Sequence, residues 1–171
     1  MKKIVLVAII GILLASAASC GYGFRHQQSN LPPDIRTISI PMFKNRTNEL
    51  RLEAVVTEQV RYQFSQSQIL KIVSEGEADV ILEGIVTSVS SDDVSLTETV
   101  RSQQRRVRVG MSVTLTRTDN GEVLYRGSVS QQRSYAIGGD NSATLEARAD
   151  ALRLVARTAA QTIHDGVLQN F

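Results

Sequence analysis

The chain has 171 residues, with 19 lysines and arginines against 17 aspartates and glutamates, for a formal net charge of +2. Lys2 and Lys3 stand at the very start, so the residues from position 20 onward carry 17 formal charges of each sign. Because these residues have no excess of basic side chains, the composition argues against a general nucleic-acid-binding protein. These 152 residues are the size of one domain.

The N-terminus has the three parts of a secretory signal peptide. Lys2 and Lys3 precede an apolar run over residues 4–15, and three small residues follow at positions 17–19. The apolar run of 12 residues is well short of the roughly 20 that span a bilayer. We therefore expect residues 1–19 to be removed as a signal peptide.

Cys20 is the only cysteine and directly follows the small residues. This arrangement resembles a bacterial lipobox, although Ala17 stands where that motif prefers leucine. The resemblance implies a covalent diacylglycerol and an N-acyl chain on Cys20, and two or three chains hold a protein stably to a membrane. The alternative is an ordinary signal peptide with an incidental cysteine. We expect residues 20–34 to form a lipidated tether and residues 35–171 a single domain.

The first half of this domain has apolar positions typical of strand, helix and strand. Residues 35–43 predict a strand, and Thr47 or Asn48 can cap a helix over about residues 49–65. Residues 69–73 predict a short strand. The buried stripe of the helix comprises Leu52, Val55, Val56, Val60 and Phe64.

A longer strand is predicted over residues 78–89, with residues 90–93 interrupting it as a bulge. Alternation resumes at Val94, and residues 101–104 are expected to form a hairpin tip. The next strand shows five successive apolar positions from Val107 to Leu115, which indicates one buried face.

Asn120-Gly121 then predicts a tight turn. The return strand over residues 123–135 is expected to direct Val123, Tyr125 and Val129 to the core.

The last predicted element is a helix over about residues 143–165, which Gly166 is expected to end. Its predicted buried stripe comprises Leu145, Ala149, Leu152, Ala156, Ala159 and Ile163, and its predicted solvent face Arg148, Arg153 and Arg157. The pattern predicts an α+β fold. Two helices pack on a mostly antiparallel four- to five-stranded sheet, in the order β-α-β-β-β-β-α.

Charge is segregated between two neighbouring segments. Residues 75–98 contain seven carboxylates and no base, whereas residues 101–133 contain seven arginines against two carboxylates. If the segments are adjacent strands, the charges pair across them, which contributes about 0.2–1 kcal/mol per pair. If the arginines gather at one end, they form an anion site.

The sequence lacks the patterns of catalytic and metal sites. His26 and His164 have no ligand partners at metal-binding spacing, so we expect no metal site and no cofactor beyond the acyl chains. No nucleophile motif or glycine-rich phosphate loop is present. We therefore expect a protein that is not an enzyme.

Three segments resemble the LPS-assembly lipoproteins (LptE). They are Cys20-Gly21-Tyr22-Gly23-Phe24-Arg25, then Leu31-Pro32 with Ile35-Arg36-Thr37-Ile38-Ser39-Ile40-Pro41 leading to Phe43 and Asn45, and Ala78-Asp79-Val80-Ile81-Leu82-Glu83-Gly84. The predicted element order also fits this family from Cys20 to about Gly166.

The resemblance implies a lipid-anchored protein on the periplasmic side of the Gram-negative outer membrane. Members plug and scaffold a large β-barrel, LptD, and assist lipopolysaccharide assembly. Basic residues near the tip of the central hairpin are implicated in binding lipopolysaccharide, and Arg101 falls at that tip. Arg105, Arg106 and Arg108 follow shortly after this tip. We include them as candidate lipopolysaccharide-binding residues, because guanidinium groups suit the phosphates of lipid A.

A second hypothesis from a different class stays open on the sequence. The chain could be a periplasmic-facing adaptor or secretion-channel lipoprotein that forms homo-oligomers through exposed strand edges.

Overall fold

The computed structural model of the chain describes residues 31–94 and 104–169. Six strands and two long helices follow one another in the described residues. They are β1 (Thr37–Ser39), β2 (Lys44–Asn45), α1 (Leu52–Ser67), β3 (Lys71–Ile72), β4 (Val80–Val94), β5 (Gln104–Arg117), β6 (Val123–Ala136) and α2 (Asn141–Gln169). A short 3₁₀ turn, Glu75–Glu77, lies between β3 and β4.

The strands form one mixed sheet in the order β3-β1-β4-β5-β6, with β2 pairing separately with β4. The long strands β4, β5 and β6 are antiparallel neighbours. The short strands β1, β2 and β3 add parallel pairs at one side. The predicted α+β fold and element order are confirmed, and the sheet has one strand more than expected.

One face of the sheet forms the core. The five predicted apolar positions of β5 are all buried, none more than 2% exposed: Val107, Val109, Met111, Val113 and Leu115. Their cross-strand neighbours include Leu82 on β4 and Val129 on β6. The face that carries these buried residues, here called the helix face, packs against α1 and α2. The other face, here called the outer face, carries the even-numbered residues of β5 and, from Arg126 onward, those of β6.

The helices pack on each other as well as on the sheet. The buried side of α1 includes Val56, Val60 and Phe64, as its periodicity predicts. The Phe64 ring meets the His164 ring of α2 edge-on, with centroids 5.0 Å apart. His164 is 1% exposed, so it is a packed core residue.

The predicted first strand is divided in two. β1 ends at Ser39 and β2 begins at Lys44, and both pair in parallel with β4. Pro41 lies between them and has no N–H to donate to a ladder, which explains the gap. The apolar residues Ile35, Ile38, Ile40 and Phe43 are nevertheless all buried.

The predicted start of the first helix is wrong by about three residues. α1 begins after Arg51, which has φ of 64° and supplies no side-chain cap. Asn45 and Thr47 instead order the preceding loop. The Asn45 Oδ1 accepts hydrogen bonds from the Thr47 backbone N–H (2.9 Å) and hydroxyl (2.8 Å).

The bulge in β4 lies elsewhere than predicted. The register with β5 shifts between Val86 and Ser88, whereas residues 90–93 remain in continuous pairing. A Cβ on Gly110 would lie 2.5 Å from the Ser88 hydroxyl, so the glycine makes room for the bulged strand. Asp92 and Asp93 stay in the ladder opposite arginines of β5.

The turn before β6 is longer than the two residues predicted. Only Gly121 has positive φ, at 73°, and β6 carries a further register shift next to Leu115 and Thr116. Val123 is consequently 45% exposed and does not face the core, whereas Val129 is buried and Tyr125 partly so.

The last helix extends beyond both predicted ends. Leu145 and Ala149 are exposed, whereas the remaining predicted stripe from Leu152 to Ile163 is buried. Gly166 lies inside the helix and does not end it. A Cβ there would overlap the Tyr125 hydroxyl, so this glycine permits close approach of α2 to β6.

Candidate functional site

The β4–β5 hairpin carries three of the four candidate arginines in the described residues. β4 ends at Val94 opposite Gln104 of β5, which places Arg105 opposite Asp93 and Arg106 opposite Asp92. The tip itself, residues 95–103, lies outside the described residues and includes Arg101. Cys20 also lies outside them.

Arg105 lies on the helix face of the hairpin and is paired. Its Nε donates to the Asp93 Oδ1 at 2.7 Å, and both side chains are about half or more exposed. The hydrogen bond and charge of Asp93 raise the pKa of Arg105 above its usual value, with a smaller contribution from Tyr135. An exposed pair of this kind adds little to stability, so displacing Asp93 from Arg105 costs little.

Arg106 and Arg108 lie together on the outer face. Arg108 donates through Nε (3.3 Å) and Nη2 (3.0 Å) to the Gln132 Oε1 on β6. Its Nη1 is also 4.0 Å from the Asp92 Oδ2, at the limit of an ion pair. Arg106 forms no ion pair with any described residue. The structure therefore joins Arg106 and Arg108 on one face and places Arg105 on the other.

The charge pattern had two interpretations, cross-strand pairing and an anion site. Cross-strand pairing accounts for Arg105 and, weakly, for Arg108. Arg106 is half-buried and lies on the same face as Arg108. The end of the hairpin thus has three arginines against two carboxylates in the described residues.

A small cavity adjoins this end of the sheet. It has a volume of about 220 Å³ and is lined by Asp93, Val94, Gln104, Arg105 and Ile137. Ile137, just beyond β6, gives the cavity an apolar side next to the guanidinium of Arg105.

Sequence reasoning missed Gln132 and Ile137 as neighbours of the arginines. A two-residue turn at Asn120-Gly121 would place Arg108 opposite Arg133, whereas the observed register places it opposite Gln132. The longer turn and the register shift therefore replace a repulsive arginine pair with a hydrogen-bonded one. Only the geometry of the turn determines which residue of β6 lies opposite Arg108.

A second charged cluster lies at the opposite end of the sheet. The Arg117 Nη2 is 2.7 Å from both Asp34 and Asp119, which raises the pKa of the guanidinium. This cluster joins the segment entering β1 to the β5–β6 turn. Arg117 and Gln104 are the two ends of β5, about 43 Å apart at a rise of about 3.3 Å per residue.

The segment before β1 contributes to the core at that end. Leu31 is 9% exposed, and the Ile35 N–H donates to the Pro32 carbonyl at 3.0 Å. The polypeptide therefore enters the domain at the Arg117 end and presents the hairpin arginines at the other.

No described helix is long and apolar enough to cross a membrane. Within residues 31–94 and 104–169, no three His, Cys, Asp or Glu side chains are grouped to hold a metal ion.

The fold is that of several solved lipoproteins at low sequence identity. The chain matches a minor lipoprotein from Acinetobacter baumannii with a TM-score of 0.54 and 15% identity, covering 81% of this chain and 95% of that one. It matches lipoprotein B from Nitrosomonas europaea with a TM-score of 0.52 and 18% identity, covering 86% and 90%. It matches a protein from Xanthomonas campestris with a TM-score of 0.56 and 12% identity, covering 81% of this chain and 91% of that one. Among curated protein sequences none matches the chain.

These likenesses define an α+β domain of a type found in lipoproteins, with helices on one sheet face and a long central hairpin. Residues 35–166 match the LptE family, described as lipopolysaccharide-assembly. The chain belongs to this family, and the predicted resemblance is confirmed. Family membership implies a lipoprotein of lipopolysaccharide assembly.

Proposed function

We propose that the chain is an outer-membrane lipoprotein that plugs and scaffolds an LptD-like β-barrel and assists lipopolysaccharide assembly there. It acts as a binding and scaffolding protein and not as an enzyme. The observation that carries this proposal is the family match over residues 35–166, nearly the whole folded part of the chain. The homo-oligomeric adaptor is not favoured, since no separate observation supports it.

The proposed anchor is Cys20, acylated after removal of residues 1–19. Gly21 follows the cysteine, which is consistent with export to the outer membrane in proteins of this kind. The tether of residues 20–34 joins the anchor to the Arg117 end of the sheet. In this arrangement the hairpin arginines lie at the end of the domain remote from the point where the tether enters.

The proposed lipopolysaccharide site comprises Arg101, Arg105, Arg106 and Arg108. The three that the structure describes lie where β4, β5 and β6 end together, and the ion pairs of Arg105 and Arg108 are exposed. At 4.0 Å the Asp92 carboxylate accepts no hydrogen bond from Arg108, whereas a phosphate at hydrogen-bonding distance can accept two from one guanidinium. The internal partners that these side chains do have, Asp93 and Gln132, are exposed.

Charge reversal tests the site. A variant with Arg101, Arg105 and Arg106 changed to glutamate should bind lipopolysaccharide at least about tenfold more weakly, equivalent to ~1.4 kcal/mol. The matched control changes three other arginines to glutamate, at positions 46, 153 and 157, and should bind as the wild type does. Binding to immobilised lipopolysaccharide measures both. Unchanged binding in the first variant, with folding intact, would show that the arginines are structural pairs only.

A further inference from the structure

β6 is an open sheet edge along its whole length in the part of the chain that the structure describes. The sheet order places it last, and its 14 residues pair only with β5. The opposite edge, β3, has two residues and begins with Lys71. Short, charged edges resist pairing with another chain, whereas long ones without lysine or proline do not. β6 contains neither lysine nor proline.

The register shows which backbone groups point to the open edge. The Thr118 N–H donates to the Asp79 carbonyl at 3.0 Å, on the β4 side of β5. Because successive residues direct their backbone groups to opposite sides, odd-numbered residues of β5 bond to β6. Met111 pairs with Val129, so the odd-numbered residues of β6 bond to β5. The N–H and C=O groups that point outward belong to Arg126, Ser128, Ser130, Gln132, Ser134 and Ala136.

Charge on this edge selects the kind of strand that can pair with it. Arg126 and Arg133 enclose six uncharged residues, and β6 contains no carboxylate. Both arginines are exposed, and neither forms an ion pair with a described residue. An added strand that carried carboxylates would gain cross-strand ion pairs with them.

We propose that β6 accepts an extended, acidic segment of another protein as an additional strand of the sheet. Main-chain hydrogen bonds would supply the affinity and the two arginines the selectivity, as in other cases of strand addition. A second copy of the chain fits poorly, because pairing β6 with itself brings four arginines and no carboxylate together. Residues 21–30 of the chain fit poorly too, since they contain no aspartate or glutamate.

Hydrogen exchange on the full-length lipidated protein in detergent tests this proposal. The probe is the synthetic peptide Glu-Thr-Val-Thr-Val-Thr-Val-Glu, whose two glutamates lie seven positions apart on opposite faces of a strand, as Arg126 and Arg133 do. The control peptide has lysine in place of each glutamate. At ten times the Kd of the acidic peptide, the amides of Ser128, Ser130 and Gln132 should exchange about tenfold more slowly. The lysine peptide should leave these rates unchanged. Equal slowing by both peptides, or slowing by neither, would overturn the proposal.

Two variants at one position separate backbone pairing from side-chain effects. Ser130→Pro removes an outward N–H without breaking a bond to β5, since edge strands tolerate proline on their open side. Ser130→Ala keeps the N–H and serves as the control. The proline variant should bind the acidic peptide at least about tenfold more weakly, with an unchanged urea midpoint, and the alanine variant as the wild type does. Outward amides that are already protected without peptide, in proportion to protein concentration, would show that a second copy occupies the edge and would contradict the proposal.

Discussion

At the scale of single residues, the structure explains why a glycine and an aspartate occur in the segment over residues 78–84. Gly84, in the segment that resembles the family, lies directly against the Phe43 ring, and Phe43 is 2% exposed. Asp79, earlier in the same segment, accepts hydrogen bonds from the Arg36 and Thr37 N–H groups, each at 2.9 Å, and from the Thr37 hydroxyl at 2.8 Å. The segment therefore joins β4 to β1 and β2 through specific contacts.

Gly84→Ala should destabilise the fold by about 1–3 kcal/mol, because the added methyl group overlaps a buried aromatic ring. Urea denaturation followed by circular dichroism measures the change. Gly76→Ala is the matched control, since nothing lies within 4 Å of the position of its added Cβ. That variant should stay within about 0.5 kcal/mol of the wild type. Equal effects of the two substitutions would contradict the packing explanation.

Asp79 should make the stability depend on pH in the acid range. The Arg36 N–H, then the Thr37 hydroxyl and N–H, hold the pKa of this carboxyl below its usual value near 3.8. Because the folded pKa lies below the unfolded one, the stabilisation is present above pH 3.8 and is lost as the pH falls through the folded pKa. We expect Asp79→Asn to lower stability at pH 7 by about 1 kcal/mol and to lose less on acidification.

Urea midpoints between pH 2.5 and 7 measure this dependence. Glu58→Gln is the control, because the side chain of Glu58 is exposed and forms no hydrogen bond with a described residue. It should reproduce the wild-type curve. An Asp79→Asn curve parallel to the wild type would mean that other carboxyls set the acid sensitivity.

At the scale of elements, the sequence predicted types better than ends. The alternation in β5 and the stripe of α1 predicted their buried faces correctly, because one periodic signal spans many residues. The bulge, the turn before β6 and the ends of α2 were wrong, because tertiary contacts decide them. Arg148 illustrates the limit: helical periodicity places it toward solvent, yet its guanidinium forms two hydrogen bonds to Glu49, at 2.6 and 2.8 Å. Nothing in the local pattern connects these two residues.

The Glu49–Arg148 pair should couple the loop before α1 to α2 energetically. Both side chains are only about one quarter exposed, and the Arg148 hydrogen bonds lower the pKa of Glu49. In a double-mutant cycle with Glu49→Gln and Arg148→Met, we expect a coupling energy of about 1–2 kcal/mol. The Asp150–Arg153 pair within α2 is the control, since its side chains are about two thirds exposed. It should give at most about 0.5 kcal/mol. A coupling for Glu49–Arg148 no larger than this control would contradict the prediction.

At the scale of the whole molecule, charge and topology together separate two ends of one sheet. The N-terminal segment enters beside Arg117, and the arginines of the β4–β5 hairpin lie at the far end of the same strands. The sequence shows the acidic and basic blocks, and it leaves open whether they pair across neighbouring strands or form an anion site. It could not predict which residue of β6 lies opposite each arginine, because the turn at Gly121 sets that register.

The most direct test of the account is an affinity pull-down of the tagged, full-length protein from outer membranes after gentle detergent extraction, with mass spectrometry of the bound material. The plug and scaffold role predicts a stoichiometric β-barrel protein of much larger mass. Intact mass analysis of the bait establishes acylation at Cys20. Recovery of a folded, acylated bait without any such barrel would contradict the proposed role.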